Sequence, residues 1–186
     1  MTLTPSTMVE LGTPMPGFRL PDTAGNPLDA ADLDDSPVLV AFICNHCPYV
    51  KHIATAFSSF AREYMDRGLA VIAINSNDWN SHPEDSPEKM VEEARKRDYP
   101  FPYLLDESQE VARAFGAACT PDFFLYDRGH RLAYRGQFDD SRPGTDAAVT
   151  GADLRAACDA VLAGEAPSSE QTPSMGCNIK WRATDA

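Results

Sequence analysis

Apolar residues along the chain follow two rhythms, and the switches between them predict most of its elements. Val38-Leu39-Val40-Ala41-Phe42-Ile43 is an unbroken apolar run, short and partly β-branched, as in a strand buried on both faces. From Tyr49 the spacing changes to steps of three and four. Tyr49, Val50, Ile53, Ala54, Phe57, Phe60, Ala61 and Tyr64 then line one face of a helix that Gly68 closes. Leu69 to Ile74 is a second buried strand, followed by the polar loop NSNDWNSHPED. Ser86-Pro87 opens another helix, serine as cap and proline at the first helical position, with Met90, Val91 and Ala94 expected inward. Pro102 to Leu105 reads as a short strand, and Ser108 as the cap of a short helix carrying Val111, Ala112 and Phe115. Phe123–Tyr126 and Leu132–Arg135 are strands joined by the turn Asp127-Arg128-Gly129-His130. A last helix from Gly151 to Ala163 has Leu154, Ala157, Cys158, Val161 and Leu162 on one stripe.

Alternating strands and helices imply a parallel core with right-handed crossovers, to which the hairpin adds antiparallel strands. The expected architecture is α/β, a central mixed sheet flanked by helices, with residues 1–165 as one domain. Beyond Gly164 the Pro- and Ser-rich stretch APSSEQTPSMGCNIKWR makes residues 166–186 an extended tail.

Composition narrows the function classes. A formal net charge of -12 argues against nucleic acid or an anionic membrane as main partner, because both repel an acidic surface. No run of 18 apolar residues suggests a membrane span, and the first residues lack the basic start and apolar stretch of a secretory signal, so the cytoplasm is the expected location. The five cysteines, Cys44, Cys47, Cys119, Cys158 and Cys177, are odd in number and too sparse for a disulfide-stapled fold.

The chemistry concentrates in CNHCPYVKH, residues 44–52. It sits where the first central strand gives way to a helix, the edge at which open α/β sheets place their sites. Unpaired N–H groups and the positive end of the dipole stabilise a thiolate there, and such cysteines reach pKa values of roughly 3.5 to 7.5 instead of about 8.5. His46 between the two cysteines would add to this, and Pro48 is tolerated in the first turn. A structural zinc site needs four ligands, whereas one C-x-x-C pair supplies two, so no metal or other cofactor is expected.

The strand, C-x-x-C, amphipathic helix and later Thr120-Pro121 before a strand (ACTPDFFLYD) resemble the thioredoxin fold. That resemblance implies that Pro121 is a cis-proline facing the dithiol, and that Thr120 brings backbone groups to the sulfurs. The opening LGTPMPGFRLPDTAGNPL is similar to the start of the peroxiredoxin-like AhpC/TSA group, so an N-terminal extension of that kind is expected on the fold. CNHCPYVKH, CTPDFFL, FDDSRPG and SMGCNIKW look like bacterial thioredoxin-family proteins classed as peroxiredoxin-like.

Two registers overlap on the motif. In the thioredoxin register Cys44 is the exposed nucleophile and Cys47 resolves, exchanging disulfides with protein or low-molecular-weight substrates. In the peroxiredoxin register Cys47-Pro48 resembles the peroxidatic pair and peroxides are the substrates. The threonine that family places three residues earlier is Cys44 here, and its peroxide-orienting arginine aligns near Pro121, where this chain has none. Disulfide exchange is therefore the expected activity, ahead of a slow peroxidase using Cys47 with Cys44 as resolving thiol, and of a non-catalytic binding module, which the intact Cys44 and Cys47 disfavour. Cys158 is expected in the core; Cys119 and Cys177 could each act as an auxiliary redox thiol, the latter if Ile179 and Trp181 dock the tail. Asp139-Asp140-Ser141-Arg142 reads as a polar turn held by its own side chains.

Overall fold

In the computed structural model, which describes residues 2–183, fourteen regular elements follow one another. They are β1 (Leu3–Pro5), β2 (Arg19–Pro21), β3 (Pro27–Asp29), β4 (Val38–Phe42), α1 (Pro48–Asp66), β5 (Ala70–Asn75) and α2 (Pro87–Arg97). There follow β6 (Tyr103–Leu105), α3 (Glu110–Phe115), β7 (Cys119–Thr120), β8 (Asp122–Tyr126), β9 (Leu132–Gly136), α4 (Ala152–Leu162) and β10 (Met175–Asn178).

The central sheet has the order β6-β5-β4-β8-β9. β4, β5 and β6 run parallel, and β8 and β9 join antiparallel, as the expected hairpin requires. Period-two alternation sends Leu39, Ala41, Val71, Ala73, Phe123 and Leu125 to one face, where α1 and α4 pack with Phe57, Phe60, Leu154 and Val161. Val38, Val40, Phe42, Ile72, Ile74 and Phe124 face the other side, covered by α3 and by Phe18 and Leu20 of the N-terminal extension. This is the thioredoxin-like fold, a mixed sheet between helices.

Local signals behave largely as expected. Gly68 takes φ +94 just past α1, and its N–H reaches Met65 O at 3.0 Å. Ser86 Oγ accepts the Lys89 N–H at 3.4 Å, capping α2. Two details differ. Val91 is exposed on α2, where Met90 alone is fully buried, because this short helix lies on the surface rather than between layers. The N-cap of α3 is Gln109 in a left-handed conformation, while Ser108 accepts the Glu110 N–H at 3.2 Å one residue earlier.

The tail contributes a strand that its composition does not announce. β10 lies between β1 and β7, antiparallel to both, pairing Cys177 with Leu3 on one side and with Thr120 on the other. Among the described residues no helix is long and apolar enough to cross a membrane.

Candidate active site

β4 ends at Phe42, Ile43 N–H still bonds Ile74 O, and the chain then leaves the sheet through Cys44, Asn45 and His46. Cys47 is the N-cap residue of α1, with Pro48 as the first helical residue. The Thr120–Pro121 peptide bond is cis, as the resemblance implies. This loop meets both sulfurs: Cys44 Sγ lies 3.3 Å from Thr120 Oγ1 and Cys47 Sγ lies 3.2 Å from Thr120 O.

A third sulfur completes the cluster. Cys177 Sγ, carried by β10, lies 2.7 Å from Cys47 Sγ. A disulfide measures about 2.05 Å; all five cysteines are free thiols here. Cys44, Cys47 and Cys177 are exposed by only 2%, 0% and 2%, so the expectation of an exposed Cys44 is not met. The reason is tertiary: β10 covers the loop edge that a bare strand-to-helix junction would leave open.

The sulfurs differ sharply in acidity. The Cys44 thiol beside Cys47 is the main force lowering the Cys47 pKa to about 5; burial opposes it, and the Cys177 thiol adds to it. Cys47 makes no conventional capping hydrogen bond, yet the Val50 N–H also favours its charge. Burial first, then the hydrogen bond to Cys47, pushes the Cys44 thiol far up, and the Asp85 carboxylate adds to the rise. Charge in the reduced pair is thus favoured on Cys47 over Cys44. Cys177 is pushed up to about 12, by burial first and then by the neighbouring Cys47.

His46 pairs with Asp85, and a ring nitrogen also lies within 4.8 Å of Cys44 Sγ. Its Nδ1 lies 2.6 Å from Asp85 Oδ2, and the ring stacks on His82 at 5.1 Å between centroids. Asp85 is fully buried and accepts the Asn45 N–H at 2.7 Å and the Asn77 amide at 2.8 Å. Burial alone would raise its pKa, but these hydrogen bonds with His46 and its neighbours hold the carboxyl below the usual range. The same loop ties down the tail: Asn77 Oδ1 accepts the Lys180 N–H at 2.8 Å, and Asp78 N–H donates to Lys180 O at 2.8 Å. Sequence reasoning missed Asp85; its only trace is an acid in a polar loop after a sheet strand.

Cys44, His46 and Asp85 bring three potential ligand atoms within 4.8 Å of one another. That is one fewer than a structural zinc site needs, and the histidine and carboxylate already engage each other.

Cys119 is buried on β7, and its thiol donates to Pro121 O at 3.6 Å. Burial, then the adjacent Asp122 carboxylate, drives its pKa up. It has no hydrogen bond to another sulfur among the described residues. Cys158 is fully buried on α4. Asp139 accepts both the N–H and the hydroxyl of Ser141 and the Thr150 and Gly151 N–H groups, so that cluster is the expected self-held turn, fastened to the start of α4.

A small pocket of about 160 Å³ lies beside the cluster, lined by Thr2, Leu3, Tyr49, Gly176 and Cys177. A larger one of about 500 Å³ lies between the β8–β9 turn and the end of α4 and contains no cysteine.

The AhpC/TSA family profile matches residues 11–135. The crystal structure of a hypothetical protein from Sinorhizobium meliloti 1021 superimposes with a TM-score of 0.95 at 55% identity, covering 97% of this chain and 100% of that one. A thiol-disulfide oxidoreductase named ResA, from Halalkalibacterium halodurans, is 25% identical over 108 residues, 58% of this chain and 57% of its own length. A Mycobacterium tuberculosis protein whose name assigns it provisionally to the peroxiredoxins is 30% identical over 116 residues, 62% of this chain and 69% of that protein. The profile match, reaching through β4, the dithiol loop and β8, decides membership: the chain belongs to the AhpC/TSA family.

Proposed function

We propose that the protein is a redox enzyme that exchanges thiols and disulfides through Cys44 and Cys47, with protein or low-molecular-weight disulfides as substrates. The observation that carries this reading is the contact of both sulfurs with the Thr120–Pro121 loop, at 3.3 and 3.2 Å. The family relationship, with relatives named for both thiol-disulfide exchange and peroxide chemistry, supports a redox role in general.

The acidity of the pair supports an order of events. Cys47, charged at neutral pH, attacks a substrate disulfide RS–SR; a Cys47–SR bond forms and RS⁻ departs. Cys44, the thiol that had stabilised Cys47, gives its proton to the departing sulfur. As a thiolate it attacks Cys47, releasing the second RS⁻, which takes a proton from water. Two electrons pass from the dithiol to the substrate, and a Cys44–Cys47 disulfide remains.

One observation favours peroxide reduction as a second reading: a Cys47 pKa of about 5 suits a peroxide-attacking thiolate. That chemistry also needs donors on the departing oxygen. Among the described residues the groups that meet Cys47 Sγ are Thr120 O, the Cys44 and Cys177 thiols and the Val50 N–H, and no arginine is among them.

The test compares wild type with Cys44→Ser and Cys47→Ser in glutathione disulfide reduction and in peroxide consumption. Exchange predicts that Cys47→Ser abolishes disulfide turnover and that Cys44→Ser accumulates Cys47 bonded to another sulfur. Rapid peroxide turnover by Cys44→Ser, with a sulfenate at Cys47, would replace exchange by the peroxidase reading.

A further inference from the structure

The contact between Cys47 and Cys177 takes no part in the bond changes of a two-cysteine exchange. Cys177 is also held with more care than a packing residue in a loose tail would be. Before it, Ser174 Oγ donates to Pro121 O at 2.6 Å; after it, Lys180 is bonded through both its N–H and its carbonyl to Asn77 and Asp78. Gln109 adds a hydrogen bond to Lys180 O at 2.8 Å and accepts the Arg182 N–H at 2.8 Å. Between these anchors the register sets Cys177 opposite Thr120, on the loop edge where an incoming substrate strand could otherwise pair. The tail thus occupies the substrate's place and offers a sulfur to Cys47.

Resting on the dithiol reading above, we propose that Cys177 is a third redox thiol, which takes the disulfide from Cys44–Cys47 as Cys47–Cys177 and hands it to a low-molecular-weight thiol at the surface pocket. In the first step Cys177, as thiolate, attacks the Cys47 sulfur. The Cys47–Cys177 bond forms, the Cys44–Cys47 bond breaks with its electron pair on Cys44, and Cys44 takes up the proton Cys177 gave. No electrons enter or leave. Cys47 carries no charge while it is in a disulfide, so one of the two causes that raise Cys177 disappears when its attack is required.

In the second step an external thiol RSH, deprotonated, attacks Cys177, forming Cys177–SR and releasing the Cys47 thiolate. A second RSH displaces RSSR and leaves Cys177 as a thiol. Two electrons have moved from 2 RSH to the protein. The pocket beside Cys177 admits the end of a small thiol, whereas Cys44 lines none of the pockets described.

The full-length chain is equilibrated in reduced and oxidised glutathione at a series of ratios, quenched in acid, alkylated and mapped by peptide mass spectrometry. The proposal expects two linkages in wild type, Cys44–Cys47 and Cys47–Cys177. It expects Cys47–Cys177 to be the dominant product in Cys44→Ser, in place of glutathione on Cys47. Cys177→Ser should still form Cys44–Cys47 but be re-reduced by glutathione about tenfold more slowly or worse. Cys177 alkylated throughout in wild type at every ratio, with Cys44–Cys47 present, overturns the relay and leaves the exchange function standing. Failure of any Cys44–Cys47 linkage to form overturns both. The wild-type map is decisive even if a variant fails to fold.

Discussion

Substituting Gly176 by alanine tests how firmly the tail strand is seated against the dithiol. A Cβ at this position would lie 2.0 Å from Thr120 O and 2.6 Å from Thr120 C, where real Cβ contacts essentially never fall below 3.0 Å. Both offending atoms are backbone, so no rotamer can relieve the clash. Thr120 is fixed by Pro121 and by its contacts with two sulfurs, so β10 must retreat by about 1 Å. That alone breaks the 2.7 Å approach of Cys177 to Cys47.

Overpacking of this kind costs roughly 1–3 kcal/mol. For a chain of this size each kcal/mol lowers Tm by about 2–4 °C, giving an expected fall of roughly 2–12 °C. If the cost falls on local opening of β10, alkylation of Cys177 in the reduced protein accelerates about 5- to 150-fold. Gly17→Ala is the control: nothing lies within 4 Å of its Cβ position, and its φ is not in the left-handed region. Thermal unfolding and timed alkylation with mass spectrometry give both readouts. A Gly176→Ala protein that melts within about 0.5 kcal/mol of wild type, with Cys177 alkylated no faster, would refute the packing argument and with it the seating of the tail.

Two further predictions concern charge. The ultraviolet thiolate absorbance of the reduced protein should show one transition with a midpoint near pH 5, missing in Cys47→Ser. Because that pKa is depressed, the stability Cys47 contributes is complete above the ordinary thiol value of about 8.5 and fades as pH falls through about 5; a midpoint at the ordinary value would contradict the assignment of the charge. Asp85→Asn leaves a buried cluster of donors short of an acceptor and should cost about 1–3 kcal/mol in urea unfolding at neutral pH. The Asp85 carboxyl is also depressed, so the difference from wild type should be full above the ordinary carboxylate value of about 3.9 and shrink as pH falls through its folded pKa. Equal stability of the two proteins at neutral pH would refute the role given to Asp85.

Most of the sheet could be read from the chain because its determinants are local. The run Val38–Ile43 is apolar at every position because β4 is covered on both faces, and the three-four spacing after Tyr49 is the buried face of α1. The dithiol at the strand-to-helix junction needed only those two elements and the spacing of Cys44 and Cys47. Pro121 needed the resemblance, since nothing in ACTPDFF by itself selects a cis bond.

Contacts made across the fold were not legible in this way. Asp85 reaches Asn45 and His46 from the far end of a polar loop, so the histidine that local reasoning assigned to the thiolate is engaged by a buried carboxylate instead. β10 is four residues long, preceded by proline and serine, and has no alternation to announce it; its partners are the first strand of the chain and the cis-proline loop. These long-range contacts decide the chemistry. A C-x-x-C read locally is an exposed nucleophile followed by a buried partner. Here the Cys44 thiol first, and the Cys177 thiol of the tail after it, lower the Cys47 pKa, so the acidic sulfur is Cys47. In the proposed exchange the order of attack follows the Cys44–Cys47 contact first, with the Cys177 thiol of the docked tail adding to it, so Gly176→Ala should raise the midpoint of the thiolate transition without touching any residue of CNHC.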